Sequence, residues 1–304
     1  MDIHGVGPKK AKELVEKGIK SVDSLREKQD DFLNDKQKIG LKYYEDILKR
    51  IPRDEIEEYN KIFTQINNEI GNNETKFEIV GSYRRGATSS GDIDVIITND
   101  NDNIKLFNDF LDKLIEKNII IEILSRGQHK SLVIARNKEN SIARRVDFLF
   151  TTRKEYPFAV LYFTGSKAFN TVMRGYALKN GLSLNEHGIS KKVKGVKEEK
   201  LDLDFKEEKD IFDYLGLEYK EPTERINGTA VVIKKNDNIQ ETLEKNITLK
   251  KFSQEPKKKL TKRKKQKKEK VSNSNLYDRF IKMKEQQLRD ELSLLSLKKG
   301  IEEP

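Results

Sequence analysis

The hydrophobic period of this chain changes after Gly71, and that change limits the fold more than any other feature. From Ile39 to Ile51 and from Glu55 to Ile70, apolar residues recur at helical spacing. Beyond Gly71, short apolar runs predict strands, and a second helical pattern separates the first two strands from the last three. The predicted strands are 76–80, 92–97, 119–124, 131–135 and 144–151, with a helix over 104–117. Helical periodicity returns from 157 to 180 and from 210 to 215, so the sequence predicts an α+β chain with a small mixed sheet.

The first residues, Ile3 to Pro8, contain a turn with two glycines, Gly5 and Gly7. Proline is accepted in a first helical turn and glycine at a helix C-cap, so a helix should begin at Pro8 and end near Gly18. Two glycines around an apolar residue at a helix start are typical of a helix-hairpin-helix motif, whose backbone approaches a DNA phosphate. An ordinary helical hairpin explains the pattern equally well, and both interpretations stay open at this point.

Charge is concentrated near the end of the chain. The run Lys257–Lys270 holds ten basic residues and one Glu, so +9 of the net charge of +10 lies there and the rest of the chain is close to neutral. Beyond Arg225 the composition is polar, and we expect 226–275 to be disordered because it cannot bury enough apolar surface. Residues 276–297 are periodic again and predict a lone amphipathic helix.

Composition excludes several classes of site and location. The chain has no Cys and three His, which rules out disulfides, thiolate zinc sites and cysteine nucleophiles and argues against a His-rich metal site. A metal would therefore be held by carboxylates. No apolar run approaches the ~20 residues of a membrane helix and the first residues are not signal-like, so we expect a soluble intracellular protein with no membrane partner.

Three aspartates carry the strongest chemical signal: Asp92, Asp94 and Asp147. Residues two apart on a strand project from the same face, so Asp92 and Asp94 can reach one point, with Ile93, Val95 and Ile96 expected on the packed side. A third carboxylate from another strand completes an oxygen site suited to Mg²⁺. Two such ions ~4 Å apart would activate a hydroxyl and stabilise a leaving pyrophosphate. Taken alone, two aspartates at this spacing are more often a solvated turn.

The stretch upstream of the aspartates favours a metal site over a solvated turn. Gly81 permits close backbone approach, Ser82 offers a hydroxyl, and Arg85 offers a fork of donors matched to phosphate. A phosphate-binding turn followed by this pair of aspartates and a third strand aspartate is similar to the nucleotidyltransferase superfamily.

Longer stretches narrow the resemblance to one family. In order and with matching spacing over about residues 1–225, the chain resembles the family X DNA polymerases, the family of DNA polymerases beta and lambda. The stretches are GVGPKKAKELVEKGIKS from Gly5, GSYRRGATSSGDIDV from Gly81, RRVDFLF from Arg144, YFTGSKAFNTVMR from Tyr162, SLNEHGI from Ser183 and KDIFDYLGLEYKEPTER from Lys209. Nothing comparable covers 226–304.

The resemblance implies three regions, and composition predicts a fourth. Residues 1–52 would form a helix-hairpin-helix DNA-binding subdomain, 53–153 a nucleotidyltransferase palm, and 154–225 a helical nucleotide-selecting subdomain. Residues 226–304 would be a disordered basic tail with a terminal amphipathic helix.

The resemblance also implies roles for single residues. Asp92 and Asp94 would bind two Mg²⁺ ions, which Mn²⁺ could replace, while Asp147 would bind the catalytic ion and accept the primer 3′-OH proton. Arg145 would pair with these carboxylates and restrain Asp147.

The nucleotide contacts would be Arg50, Ser82, Arg85 and Gly91 on the triphosphate, Tyr162, Phe163 and Gly165 in a turn that excludes a 2′-OH, and Asn170 at the base. On the DNA side, Arg174 would contact the template, and the turn of Gly5 and Gly7 would approach a phosphate through K⁺ or Na⁺ held by the carbonyls of Ile3 and Val6.

Two departures from the family pattern matter. Lys167 stands beside the expected incoming base, where the beta enzyme has an acidic residue and the lambda enzyme a small one, which affects base discrimination and nucleotide affinity. The resemblance starts within the helix-hairpin-helix subdomain, so we expect no amino-terminal lyase domain and no efficient lyase activity, unless the reading frame begins earlier.

These patterns together predict a template-directed DNA polymerase that fills gaps during base excision repair or end joining. Its partners would be gapped or nicked DNA, dNTPs and a repair protein bound by the terminal helix, and we expect a monomer. The basic run favours nuclear import, although a cytoplasmic site of viral DNA replication also fits. The alternatives are a terminal transferase, disfavoured by the short turns between Ile121 and Asp147, and a non-catalytic DNA-binding scaffold.

Overall fold

The computed structural model describes residues 3–70, 75–192 and 199–234. Contacts divide the chain into two units, residues 1–250 and 251–304, and every described residue belongs to the first. The basic run and the terminal helix expected from the sequence lie outside the described residues. None of the helices that the structure describes is both long and apolar enough to cross a membrane.

The chain begins with five short helices around a small apolar core of Leu14, Leu25 and Leu41. They are α1 Pro8–Glu16, α2 Val22–Glu27, α3 Gln29–Phe32, α4 Asp35–Lys42 and α5 Tyr44–Leu48. Side chains of Ser21 and Asn34 cap α2 and α4 in reciprocal capping boxes, which satisfy backbone donors at the helix starts. The continuous helix expected from Ile39 to Ile51 is wrong, because the backbone breaks at Tyr43.

A mixed five-stranded sheet forms the centre of the described chain. After the two-residue strand β1 Ile51–Pro52 and the helix α6 Arg53–Glu69, the chain forms β2 Thr75–Ile79, α7 Gly81–Arg84, β3 Ser89–Ser90, β4 Ile93–Asn99, α8 Ile104–Glu116, β5 Ile120–Arg126, β6 Lys130–Ala135 and β7 Arg144–Phe150. The sheet order is β2-β4-β7-β6-β5, and β1 pairs separately with β3. Only β4 and β7 are parallel within the five-stranded sheet. The predicted α+β class with a small mixed sheet is confirmed.

Helices cover both faces of this sheet. On one face α6 and α8 pack through aromatic contacts, with the Phe63 ring centroid 6.0 Å from Phe110 and 5.5 Å from Phe148. On the other face Ile96 packs with Val80, Ala159 and Val160. The expectation that Ile96 shares a side with Ile93 and Val95 is wrong, because strand residues alternate and both faces are buried.

The remaining helices form a second layer. They are α9 Tyr156–Thr164, α10 Lys167–Lys179 and α11 Glu208–Tyr214, accompanied by β8 Leu182–Asn185, β9 Gly188–Lys191 and β10 Glu199–Lys200. The helical run expected over 157–180 is interrupted at Gly165, whose φ of +69° favours glycine, and Ser166 caps α10.

The ordered structure continues past Arg225, where the sequence predicted disorder. Residues 228–230 form a 3₁₀ turn, Leu217 pairs with Ile233, and Ala230 is buried. The predicted boundary at 225 is therefore too early, because this polar segment still contributes side chains to the apolar core beneath α10.

Candidate active site

Two of the three aspartates are brought face to face by the parallel pairing of β4 with β7. The register places Asp94 directly opposite Asp147. Asp92 precedes β4, which begins at Ile93. Because paired residues on neighbouring strands project from the same face, the carboxylates of Asp94 and Asp147 share one surface of the sheet.

Two basic side chains, Arg145 and Lys130, contact the aspartates. The guanidinium of Arg145 donates a short hydrogen bond to Asp92, and its Nε lies 3.6 Å from Oδ1 of Asp147. The Nζ of Lys130 lies 3.8 Å from Oδ2 of Asp147. Within the described ranges, no three His, Asp or Glu side chains converge as a metal site, and the carboxylate of Asp92 is paired with Arg145.

The environment of Asp94 and Asp147 nevertheless suits a cation. Burial, followed by the charge of Asp147, raises the pKa of Asp94 to about 6, against the opposing effect of Lys130 and Arg85. Oδ1 of Asp147 is buried and has no hydrogen-bond partner among the described residues. A largely buried carboxylate pair in which one oxygen accepts no hydrogen bond fits a divalent cation, and Asp92 would be a third donor if its carboxylate left Arg145.

A cleft of about 780 Å³ lies next to the aspartates. It is lined by all eight residues for which the resemblance implies a nucleotide contact, together with Asp92, Asp94 and Arg174. The eight are Arg50, Ser82, Arg85, Gly91, Tyr162, Phe163, Gly165 and Asn170. Asp147 and Arg145 are not among the lining residues and are held on β7.

The sheet side of the cleft is built around Gly81. Its φ is +65°, and a Cβ at this position would stand 2.8 Å from Oδ2 of Asp94. Ser82 donates a 2.7 Å hydrogen bond to the hydroxyl of Ser90, and Arg50 Nε donates to Ser89 Oγ at 3.2 Å. Glycine is required here because both its conformation and its lack of a side chain keep Asp94 in place.

The helical side of the cleft is the turn between α9 and α10. Arg85 donates to the carbonyl oxygen of Thr164 at 2.5 Å, and Asn170 donates to the carbonyl oxygen of Tyr162 at 2.6 Å. Behind the turn, Ser166 N donates to the carbonyl oxygen of Arg225 at 3.1 Å. These hydrogen bonds fix the backbone that faces the cleft.

The glycine turn at the start of the chain belongs to the amino-terminal helices and does not line the cleft. Ile3 O accepts from Val6 N at 3.0 Å, and Gly5 has a φ of +80°. The nearly buried Gln37 donates to Gly5 O at 2.8 Å, so α4 holds the turn. Gly7 follows as the N-cap of α1.

Sequence reasoning missed Lys130, Gln37 and Thr171, the last of which lines the cleft. The signal for Lys130 is strand register: Leu132 pairs with Asp147, so Lys130, two residues earlier, is a diagonal neighbour on the same face. No pattern in the sequence marks Gln37, because its partner is 32 residues away.

Comparison with known proteins agrees with this geometry. Residues 1–48 match the model for the fingers domain of DNA polymerase lambda, 50–153 the model for the DNA polymerase beta palm, and 159–226 the model for the DNA polymerase beta thumb. Together the three matches account for nearly all of the described residues.

Among curated proteins, the chain is 35% identical over 237 residues to DNA polymerase lambda of Rattus norvegicus, covering 74% of this chain and 41% of that protein. It is 32% identical over 247 residues to DNA polymerase lambda of Arabidopsis thaliana, with coverage of 74% and 45%. DNA-directed DNA/RNA polymerase mu of Homo sapiens is 27% identical over 268 residues, with coverage of 73% and 51%. The chain thus spans about half, or less, of the length of these relatives. It belongs to the family X DNA polymerases.

Proposed function

We propose that this chain is a template-directed DNA polymerase that transfers a nucleotide from a dNTP to a primer 3′-OH and fills short gaps during DNA repair. The observation that carries the proposal is the pairing of Asp94 with Asp147 beside the cleft that holds all eight expected nucleotide contacts. Two half-buried carboxylates paired across strands next to a phosphate-binding turn are typical of a site that takes up a cation and a phosphate.

The carboxylates would hold the metal. Asp92, Asp94 and Asp147 are the donors for Mg²⁺, or Mn²⁺ in its place, which would supply Lewis-acid activation and neutralise phosphate charge. Asp147 offers Oδ1, which accepts no hydrogen bond among the described residues, as the acceptor of the 3′-OH proton. Arg145 keeps Asp147 in position through its 3.6 Å contact and holds Asp92 through a hydrogen bond.

The cleft would orient the nucleotide. Arg50, Ser82 and Arg85 present donors to the triphosphate. At the other side, Arg85 and Asn170 hydrogen-bond to the backbone between Tyr162 and Gly165, which would leave no space for a ribose 2′-OH. Arg174, which also lines the cleft, would contact the template.

The glycine turn would bind the DNA backbone. Carbonyl oxygens of Ile3 and Val6 are the expected ligands of K⁺ or Na⁺, which would bridge to a phosphate. Gln37 donates to the neighbouring carbonyl of Gly5, so α4 supports the turn that would approach the phosphate. Gapped or nicked DNA is the expected substrate.

A primer-extension assay tests this function. The wild-type chain should add only the complementary nucleotide to a primer at a one-nucleotide gap and should be inactive on single-stranded DNA. Asp147→Asn should abolish addition while gapped-DNA binding remains, and Asp112→Asn, an exposed aspartate on α8, is the matched control. Addition without a template would indicate a terminal transferase, and DNA binding without any addition would indicate a scaffold.

Location and assembly form a further part of the proposal. We propose that Lys257–Lys270 is a nuclear-import signal, that residues 276–297 bind a repair protein, and that the chain acts as a monomer. The first part is supported by the charge density of the run. A fluorescent fusion that stays nuclear after this run is replaced by Ser and Gly would contradict the import role.

A further inference from the structure

Lys167 occupies a position that local helix electrostatics disfavours. It is the first residue of α10, directly after the N-cap Ser166, and the first turn of this helix contains no acidic residue. A helix start carries partial positive charge, so carboxylates stabilise it and a lysine does not. The side chain is exposed and lines the cleft.

Lys167 makes no ion pair with a carboxylate in the described part of the chain. The other three basic side chains of the cleft also make none there. Arg50 donates to Ser89, Arg85 donates to a carbonyl oxygen, and Arg174 lies 5.7 Å above the ring of Tyr162. Of the two aspartates that line the cleft, Asp92 is already paired with Arg145. The cleft therefore carries an excess of positive charge that suits a polyanion.

Lys167 lies close to Arg85, the expected phosphate ligand. The backbone N of Lys167 and the guanidinium NH1 of Arg85 are each 3.4 Å from the point where a Cβ on Gly165 would stand. At most twice that distance separates the two nitrogens. A lysine side chain is long and flexible, so its ammonium can reach the part of the cleft next to the guanidinium of Arg85.

We propose that Lys167 binds the triphosphate of the incoming nucleotide and raises the affinity of this polymerase for dNTPs. The inference rests on the proposed function and deepens it, because it assigns a specificity role to a residue that departs from the family pattern. An anion bound beside the start of α10 also removes the unfavourable contact between the lysine and the helix end.

Nucleotide binding without chemistry provides the test. The full chain is bound to one-nucleotide-gapped DNA with a dideoxy-terminated primer and titrated with the complementary dNTP and Mg²⁺, and the Kd is read from the fluorescence of a 2-aminopurine in the template. Lys167→Met should weaken dNTP binding about three- to tenfold, as expected for a partly exposed charge-assisted contact. Lys179→Met, at the exposed far end of the same helix, should leave the Kd unchanged.

Lys167→Glu separates binding from folding. A carboxylate at the helix start should raise the melting temperature of the protein while it weakens dNTP binding by more than tenfold through repulsion. The affinity for gapped DNA measured without nucleotide should not change in either Lys167 variant.

Three results would overturn the inference. An unchanged dNTP Kd in Lys167→Met, with normal binding by the wild-type chain, would remove the triphosphate contact and leave the proposed function intact. A loss of affinity for DNA alone would show that the lysine binds a strand phosphate instead. Absence of any nucleotide binding by the wild-type chain would overturn the proposed function and this inference together.

Discussion

Replacing Gly81 by alanine should slow nucleotide addition, and the structure indicates by how much. A Cβ at this position would stand 2.8 Å from Oδ2 of Asp94, so the carboxylate must rotate away. The left-handed φ of +65° adds a backbone cost of about 1–2 kcal/mol. A displacement approaching 1 Å at a reacting group costs about 100-fold in rate, or ~2.7 kcal/mol.

Gly18→Ala is the matched control for this variant. Gly18 has a φ of +85°, and a Cβ there would meet no atom within 4 Å. Both variants should therefore lose about 1–2 kcal/mol in urea denaturation, since both force alanine into the left-handed region. Only Gly81→Ala should lower the single-turnover rate of nucleotide addition on gapped DNA, by roughly 100-fold. A Gly81→Ala enzyme with the rate of Gly18→Ala would refute the placement of Asp94 in the reaction.

Three further outcomes follow from the site and the charge distribution. Arg85→Ala should raise the apparent KM for dNTP in steady-state extension, because a charge-assisted phosphate contact of about 1.5–3 kcal/mol is lost; an unchanged KM would contradict that contact. Arg145→Met should lower kcat while the Kd for gapped DNA, measured by anisotropy, stays constant, since it releases Asp92 and Asp147 while Gln37 still holds the glycine turn; a weakened Kd would place Arg145 on the DNA. A chain ending at Lys234 should show a flatter dependence of log K on log salt for gapped DNA and unchanged nucleotide selection, and an equal slope would leave Lys257–Lys270 without a role in binding.

Much of the palm could be predicted from the sequence because its signals are local. Strand periodicity marked β4 and β7, and the spacing of Asp92, Asp94 and Asp147 on such strands indicated a carboxylate site. The turn after Val80 was recognisable because glycine, serine and arginine each have a distinct capacity for binding phosphate. The local pattern failed at Ile96. Ile96 and its neighbour Val95 are both apolar and buried, and burial on both faces of a strand removes the alternation of apolar and polar residues that would assign each to a face.

The pairings across the chain depended on the tertiary structure. No local pattern sets the parallel register that places Asp94 opposite Asp147, and the pairing of Arg145 with the carboxylates was expected only through the family resemblance. Helical periodicity over 157–180 did not show the break at Gly165, which only the family resemblance indicated, because Arg85 and the backbone of Arg225 stabilise this turn from distant segments. Residue types and spacing determine which groups can take part in the chemistry, whereas their distances and charges depend on contacts between segments far apart in the chain, which only folding brings together.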